Sequence, residues 1–248
     1  EVYMRNLVFT ITILLLTNCS KNESNGEGAK EENSLPEVYN KVYGASSIAL
    51  EGNYVVIKVD GTPDHKSPYF NQSDPLYTPY DGNNPNFNLN PNKITSFDFT
   101  YKIPINPSEA SSKSATRLGS IGVALNGVAI YNQYAGPNNQ PLTGEINSFD
   151  QYNGHPQPQG VYHYHIEPLF LTGNLGNDAL LGFLLDGFPV YGPFEDTSKV
   201  TNEDLDDYHG HSHATEDFPE GIYHYHITEN DPYINGNGYF GTPGTVTQ

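Results

Sequence analysis

Two segments of the chain alternate tyrosine with histidine. Both read YHYH, at residues 162–165 and 223–226, and together they hold four of the chain's nine histidines. Successive side chains of a strand point to opposite faces, so the two histidines of each segment would project to one side. Their Cα atoms would lie about 6.6 Å apart, and from there both imidazoles can reach one ion at about 2.0–2.1 Å. Each segment is therefore predicted to form half of a metal site. The four predicted ligands are His163, His165, His224 and His226.

A further histidine precedes each segment. His155 and His211 each follow a glycine, and we predict that they are the third ligands. If the two YHYH strands meet, all four strand histidines could form one site; if they do not, each pair would be completed by the preceding histidine of its own half. Asp150 and Asp206, five residues before these histidines, could accept the second ring N–H and fix the tautomer.

The second of these regions is richer in histidine than the first. It reads HGHSH at 209–213, and His209 is included among the predicted ligands, although His209 and His213 could equally remain in solvent. The alternative for the paired strand histidines is a hydrogen-bonded layer over an aromatic core. The joint recurrence of the preceding histidine and the strand pair favours metal binding. The alternating tyrosines would face the other way and pack in the core.

The donor set restricts the metal. Cys19 is the only cysteine, so the folded domain has no thiolate site and no internal disulfide. Imidazole-rich sites without sulfur suit Cu(II) or Zn(II), and these are the predicted cofactors. Ca(II) is a weaker candidate, because the Asp- and Asn-rich loops lack the spacing of an EF-hand.

The histidine segments belong to an internal repeat. The stretches GVALNGVAIY at 122–131 and GFLLDGFPVY at 182–191 align without a gap, and each has the Asn-Gly or Asp-Gly centre of a β-hairpin. The order of hairpin, Gly-His and YHYH then recurs, which indicates a tandem repeat of about 119–166 and 180–227. Units this small are expected to share one core around a pseudo-twofold axis.

Composition favours strands and turns over helices. The chain has 24 glycines, 19 prolines and 19 tyrosines among 248 residues. We predict an all-β fold, a single β-sandwich or barrel-like domain over residues 44–248 with long irregular loops. The Pro- and Asn-rich stretch at 68–92 is expected to be one such loop.

The beginning of the chain indicates export. Arg5 precedes a ten-residue apolar stretch, and LTNC at 16–19 has the form of a bacterial lipobox. Residues 1–19 are therefore predicted to be a signal peptide, with a lipid anchor on Cys19 as the only membrane attachment. The polar stretch that follows would be a flexible tether over 20–43. The expected location is the outer membrane or cell surface, or the periplasm or medium if Cys19 is not lipidated.

Charge and motifs exclude several classes of function. The formal net charge of −18 would repel a phosphate backbone, so no nucleic-acid partner is expected. The sequence contains no GxSxG elbow, P-loop or HExxH motif. No pattern in the chain points to a protein partner.

The motifs together resemble those of the YHYH domain family. The resemblance runs from about residue 44 to 240 and is carried by GTPDHKSPYF, GSIGVALNGVAIY, GFLLDGFPVYGPF, HGHSHAT and the two YHYH strands. It implies an exported protein and leaves the activity open. It also brings forward His65, in PDHKSPY, as another candidate metal ligand.

Three hypotheses of function follow. The first is an exported lipoprotein that binds Cu or Zn through the paired histidine strands. The second is a metal-dependent extracytoplasmic enzyme, a hydrolase or oxidoreductase, with Asp186 or Glu167 as acid or base; the sequence identifies no catalytic residue beyond that. The third is an adhesion or glycan-binding module that stacks ligands on its tyrosines without a metal.

Overall fold

A computed structural model describes residues 34–248 of the chain. The predicted signal peptide, with Cys19, and most of the predicted tether lie outside these residues. Within them the fold is mostly β, as predicted, and only one α-helix is found. No helix of this region has the length and apolar character needed to span a bilayer.

The described residues form eighteen short strands. Those of the first part are β1 (Ala45–Glu51), β2 (Tyr54–Val59), β3 (Phe99–Pro104), β4 (Glu109–Ser114), β5 (Gly122–Ala124), β6 (Ala129–Ile130), β7 (Tyr134–Ala135), β8 (Gln140–Pro141), β9 (Gly154–Pro156) and β10 (Tyr162–Tyr164). The second part contributes β11 (Leu180–Leu184), β12 (Pro189–Tyr191), β13 (Phe194–Glu195), β14 (Ser198–Lys199), β15 (Gly210–His213), β16 (Ile222–His226), β17 (Tyr239–Gly241) and β18 (Thr245–Thr247). The helices are α1 (Leu169–Leu175) and the 3-10 helices Glu37–Lys41, Glu145–Ser148 and Asn202–Asp204.

The largest sheet has eight strands in the order β15-β16-β12-β11-β5-β6-β10-β9. Each half of this order contains the same pairings. A hairpin (β5/β6 or β11/β12) is followed by a parallel pair (β6/β10 or β12/β16) and then by an antiparallel pair (β10/β9 or β16/β15). The tandem repeat predicted from the sequence is therefore built into one continuous sheet.

The pseudo-twofold axis passes between β5 and β11. These strands pair antiparallel, with Val123 opposite Phe183, and the two residues occupy equivalent positions of the repeat. On either side, Gly122 faces Leu184 and Ala124 faces Gly182, which is the same pairing read from the two halves. The predicted twofold relation between the repeats is confirmed.

Glycines allow the two halves to approach closely at this axis. A Cβ atom added to Gly122 would lie 2.5 Å from the carbonyl oxygen of Phe183. A Cβ added to the equivalent Gly182 would lie 2.4 Å from the carbonyl oxygen of Val123. Both distances are shorter than any ordinary contact, so a side chain here would push the central strands apart.

A smaller antiparallel sheet, in the order β1-β2-β3-β18, completes the sandwich-like fold. Along β3, buried and partly exposed residues alternate, as expected for a sheet with one covered face. Ile57 and Tyr101 of this sheet belong to the same apolar core as Val123 and Phe183 of the large sheet. The described sheets are open, so the barrel-like alternative is not observed. The loop predicted at 68–92 is irregular in the structure.

The packed structure begins earlier than composition indicated. Tyr39 and Val42, which fall within the predicted tether, are only 3% and 2% exposed. The ring of Tyr39 packs on that of Phe183, with 4.6 Å between centroids. The segment is polar on average, so its composition predicted a flexible tether. Its packing depends on only two side chains, one aromatic and one aliphatic, which the average composition does not show.

Candidate metal centres

Four side chains of the first repeat converge on one point. Strands β9 and β10 pair with His155 directly opposite His163, and His165 follows two residues further on the same face. The 3-10 helix Glu145–Ser148 adds the carboxylate of Glu145. We call this cluster centre 1; its members are Glu145, His155, His163 and His165.

The distances within centre 1 fit a single ion. The Nε2 atom of His163 lies 3.1 Å from Nε2 of His155 and 3.0 Å from Nε2 of His165. Oε1 of Glu145 lies 3.3 Å from Nε2 of His155. Ligand atoms bound tetrahedrally at about 2.0–2.1 Å from an ion are about 3.3 Å apart. The four groups therefore already stand close to the separation that a shared ion requires.

Hydrogen bonds fix the tautomers of centre 1. Nδ1 of His163 lies 3.0 Å from the carbonyl of Val161, and Nδ1 of His165 lies 2.5 Å from that of Asn132. A carbonyl can only accept, so both Nδ1 atoms carry the proton. Ser148 Oγ donates to the carbonyl of Glu145 and accepts from Nδ1–H of His155 at 2.7 Å. All three Nε2 atoms therefore present lone pairs to the centre.

The second repeat builds the same arrangement. Strands β15 and β16 pair with His211 opposite His224, and His226 follows on the same face. Nε2 of His224 lies 3.2 Å from Nε2 of His211 and 3.1 Å from Nε2 of His226. Oε1 of Glu195, from β13, lies 3.3 Å from Nε2 of His211. We call this cluster centre 2; its members are Glu195, His211, His224 and His226.

The buried histidines of centre 2 have the same tautomers. Nδ1–H of His224 donates to the carbonyl of Ile222 at 3.0 Å, and Nδ1–H of His226 donates to that of Gly192 at 2.8 Å. Their Nε2 lone pairs therefore face each other at 3.1 Å with no proton between them. Lone pairs held this close repel, and a cation between them converts the repulsion into binding. The same reasoning applies to centre 1.

Four of the six imidazoles in the two centres are held neutral. Burial lowers the pKa of His165, His224 and His226 to about 4, and nearby imidazoles add to this effect. The pKa of His163 is well below its usual range for the same reasons. Metal ligation requires neutral imidazole, so these side chains are in the ligating form at neutral pH.

The alternative of one site shared by all four strand histidines is wrong. Strands β10 and β16 lie on opposite sides of the axis, with β6, β5, β11 and β12 between them. Five inter-strand steps of about 4.8 Å separate them by about 24 Å. Each half instead completes its own centre, with His155 or His211 as the additional histidine. Both of these residues lie on strands rather than in loops.

Asp150 and Asp206 do not touch the ring nitrogens, contrary to expectation. Asp150 accepts hydrogen bonds from the hydroxyls of Tyr162, at 2.8 Å, and Ser67, at 2.6 Å. Asp206 likewise accepts from the hydroxyl of Tyr223 at 2.9 Å. Tyr162 and Tyr223 project from the face of their strands opposite to the histidines. The two carboxylates therefore lie on the side of the strands away from the centres. For His155 the hydroxyl of Ser148 takes the tautomer-fixing role instead.

His209 lies outside both centres. Its ring is buried, and Thr228 Oγ1, which donates to the carbonyl of Asn230, accepts from Nε2–H of His209 at 2.9 Å. Its backbone has a φ of 74°. Asn153, the matching residue of the first repeat, has a φ of 65°. The position selects residues that tolerate left-handed backbone, and His209 serves there as a hydrogen-bonding side chain.

His65 also lies outside the centres. It is 3% exposed, with Nδ1–H donating to the carbonyl of Lys66 at 3.2 Å. Its Nε2 accepts from the hydroxyl of Tyr164 at 2.9 Å. Tyr152 and Phe170 pack against the ring, with centroids at 4.5 and 4.9 Å. Six of the eight predicted ligands are thus gathered in the two centres, whereas His65 and His209 are structural in their contacts.

The two glutamates were not predicted. Glu195 belongs to β13, only four residues after the aligned hairpin, whereas Glu145 comes from a 3-10 helix further along the first repeat. With a constant offset of 60 residues, Glu195 would align with Ala135, so the repeat gives no signal for either carboxylate. The position of Glu145 depends on how the intervening loop folds back.

The carboxylates that the sequence offered as acid or base lie elsewhere. Asp186 accepts from the hydroxyl of Tyr225 at 2.6 Å and from the backbone N–H of Gly241 at 2.8 Å. Glu167 accepts from the hydroxyl of Thr172 at 2.7 Å. Neither residue is a member of a centre, and both have hydrogen-bonding roles.

The two centres differ in exposure. The three histidines of centre 1 are each about 2% exposed. In centre 2, His224 and His226 are buried as well, but the side chain of His211 is 25% exposed. His213, which is 50% exposed, places Nδ1 2.8 Å from Oε1 of Glu195. Glu145 and Glu195 are each 28% exposed, so the centres differ in their histidines: those of centre 1 are all buried, whereas His211 leaves centre 2 with an open side.

The fold and the two centres define an all-β protein whose duplicated His3Glu clusters could each hold a metal ion. The family model described as YHYH protein matches residues 100–201 and 194–238, more than half of the chain. The chain therefore belongs to the YHYH protein family, as its motifs indicated. No curated protein and no solved structure matches this chain.

Proposed function

We propose that this protein binds two transition-metal ions, Cu(II) or Zn(II), one in each centre, and does so as an exported lipoprotein of the cell envelope. The observation that carries the metal proposal is the convergence of three imidazoles in each repeat, with Nε2 atoms 3.0–3.2 Å apart. Together with one carboxylate, this is the ligand count of a tetrahedral site.

The donor types support copper or zinc over calcium. Three imidazole nitrogens and one carboxylate oxygen form a borderline set, whereas Ca(II) prefers six to eight oxygen ligands. The supporting hydrogen bonds follow the usual pattern for ligating histidines, in which the second ring nitrogen donates to a carbonyl. Location at the cell envelope rests on the sequence before residue 34 alone.

The adhesion alternative is weaker. It needs exposed aromatic rings on which a ligand could stack, yet the four tyrosines of the YHYH strands are buried. They pack in the core, as predicted, and two of them donate hydrogen bonds to the carboxylates of Asp150 and Asp206 behind the centres. The enzyme alternative keeps one observation in its favour, the open side of centre 2.

Metal analysis of the full chain, purified without a His-tag, tests the proposal. We expect two ions of Cu or Zn per chain by mass spectrometry of the eluted metal. His163→Ala and His224→Ala should each reduce the content to one ion per chain, and the double variant should abolish it. His209→Asn is the matched control, because this residue lies outside both centres, and it should retain two ions. Metal-free wild-type protein that stays metal-free after incubation with Cu(II) or Zn(II) would refute the proposal.

A further inference from the structure

Centre 2 opens into a cleft. The cleft has a volume of about 500 Å³, and His224, His226 and Glu195 contribute to its lining. The two histidines are 0% and 2% exposed, and their Nε2 lone pairs face the metal position between them. A metal ion held there would stand at the inner end of a cavity large enough for a small organic molecule.

The wall of the cleft is apolar next to the centre. Leu180, Tyr191 and Phe194 contribute to it. The ring of Tyr191 meets that of His224 edge-on, with 5.1 Å between centroids. An apolar wall beside an open coordination position favours a flat or aliphatic ligand over bulk water.

The rim of the cleft carries an excess of negative charge. Besides Glu195 of centre 2, the acidic residues of the lining are Asp178, Asp196, Glu216 and Asp217. Lys41 is the only lysine or arginine of the lining, and its Nζ forms an ion pair with Asp217. Asp178, Asp196 and Glu216 are exposed at the rim. A positively charged group would therefore be attracted to the outer end of the cleft.

We propose that centre 2, and not centre 1, takes a small ligand directly on its metal ion from this cleft. The preferred ligand carries a metal-binding nitrogen or oxygen at one end and an ammonium group at the other. This inference rests on the proposed function, because it needs a metal in centre 2. It adds which centre exchanges ligands and the chemical class of the ligand.

Closed and open centres have different chemical capacities. A metal enclosed by four protein ligands and buried histidines has no position for an outside molecule, as in structural sites. In centre 2 the four protein ligands leave a solvent-facing side, on which the metal would take an exchangeable water as a fifth ligand that another molecule can displace. The position of His213, which contacts Glu195 at the cleft, has Gln157 as its counterpart in the first repeat. The two centres therefore differ in sequence at this position as well as in the exposure of their histidines.

The test uses a matched pair of ligands on the full chain loaded with Co(II), whose visible spectrum reports coordination number. Both 4-(aminomethyl)pyridine and isonicotinate bind metal through one pyridine nitrogen, but they carry opposite charges at the far end. We expect half of the bound cobalt to change its spectrum, and the amine to bind at least about five-fold more tightly than the acid.

Variants assign the response. His224→Ala should abolish the spectral change, and His163→Ala should retain it. If His163→Ala does not fold, the half-of-cobalt stoichiometry in the wild type shows that one centre responds, and the loss of the response in His224→Ala identifies that centre. The triple variant Asp178→Asn, Asp196→Asn, Glu216→Gln should keep both cobalt ions and lose the preference for the amine.

Each other outcome overturns the inference. A response from both centres or from neither, with two cobalt ions bound, refutes it and leaves the proposed function standing. A preference for isonicotinate, or an equal affinity for the two ligands, refutes the ligand class. Failure to bind cobalt, copper or zinc at all refutes the inference and the proposed function together.

Discussion

Asn153 and His209 occupy the same place in the two repeats, with φ values of 65° and 74°. Asn153 Nδ2 donates to the carbonyl of Glu167 at 2.8 Å, and His209 Nε2–H donates to Thr228 at 2.9 Å. Glu167 and Thr228 each lie two residues after the last histidine of their YHYH strand. The two side chains therefore tie the same turn to the same segment in both halves.

His209→Asn should consequently be tolerated. Asparagine accepts left-handed backbone at least as well as histidine, and the first repeat already uses it here. We expect the free energy of unfolding to change by less than about 1 kcal/mol, measured by urea denaturation. His209→Val provides the contrast, because a β-branched residue is strained at positive φ and lacks the donor. A large loss in the asparagine variant would show that the ring itself is required.

The glutamates should contribute to metal retention. Glu145→Gln and Glu195→Gln each replace a charged ligand by a weaker neutral one, so the affinity of the corresponding centre should fall at least about ten-fold. Competition with a chromogenic chelator measures this affinity. Glu220→Gln, at an exposed position outside both centres, is the control and should behave like the wild type. Unchanged affinity in both test variants would remove the carboxylates from the ligand sets.

Metal-free protein should lose stability on acidification. Burial lowers the pKa of six histidines below the ordinary value of about 6.5, so the unfolded chain binds more protons than the folded chain between about pH 6.5 and 4. Stability therefore falls as the pH drops through this window. These histidines are His65, His163, His165, His209, His224 and His226.

Two buried carboxyls act in the opposite direction. Burial raises the pKa of Asp186 to about 6 and also raises that of Asp150, so each adds stability as the pH falls. Six imidazoles outnumber them, and a net loss is expected. Urea denaturation in EDTA at pH 7 and pH 5 measures it. A protein that is equally stable at both values would contradict the assigned protonation states.

The axis of the large sheet should be sensitive to a single methyl group. Gly182→Ala places a Cβ atom 2.4 Å from the carbonyl oxygen of Val123, so the central strands must separate. We expect a loss of about 1–3 kcal/mol in the free energy of unfolding, typical of an overpacked interior. Gly144→Ala is the matched control, because nothing lies within 4 Å of its added Cβ. Equal denaturation midpoints for the two variants would argue against the close approach of the strands.

Local sequence patterns predicted much of the fold and most of the histidines in the two centres. Alternation in the YHYH segments placed His163 and His165 on one face, and the repeated Gly-His pairs identified His155 and His211. The hairpin alignment gave the twofold relation, because equivalent sequences form equivalent strands. These features depend on strand periodicity and short-range order, which are visible in the sequence.

Long-range packing determined what the sequence did not reveal. Whether the two pairs of strand histidines share one centre depends on strand order, and the central position of β5 and β11 keeps them apart. Glu145 lies in the connection between β8 and β9, and the fold of that connection places it in centre 1. Its distance from the histidines along the sequence therefore does not predict its contact with them. The family resemblance brought His65 forward as a candidate ligand, but its partner Tyr164 is distant in the chain and comes close only in the folded protein.

The register in which Val123 faces Phe183 is the one that two separate copies of a single repeat would adopt on meeting edge to edge. A homodimer of such copies would have identical sites by necessity, since one gene would encode both. Joining the copies in one polypeptide removes that constraint. The centre of one half can then keep its histidines buried while the centre of the other half becomes accessible to ligands. Neither change requires a different sequence in the strands that join the halves.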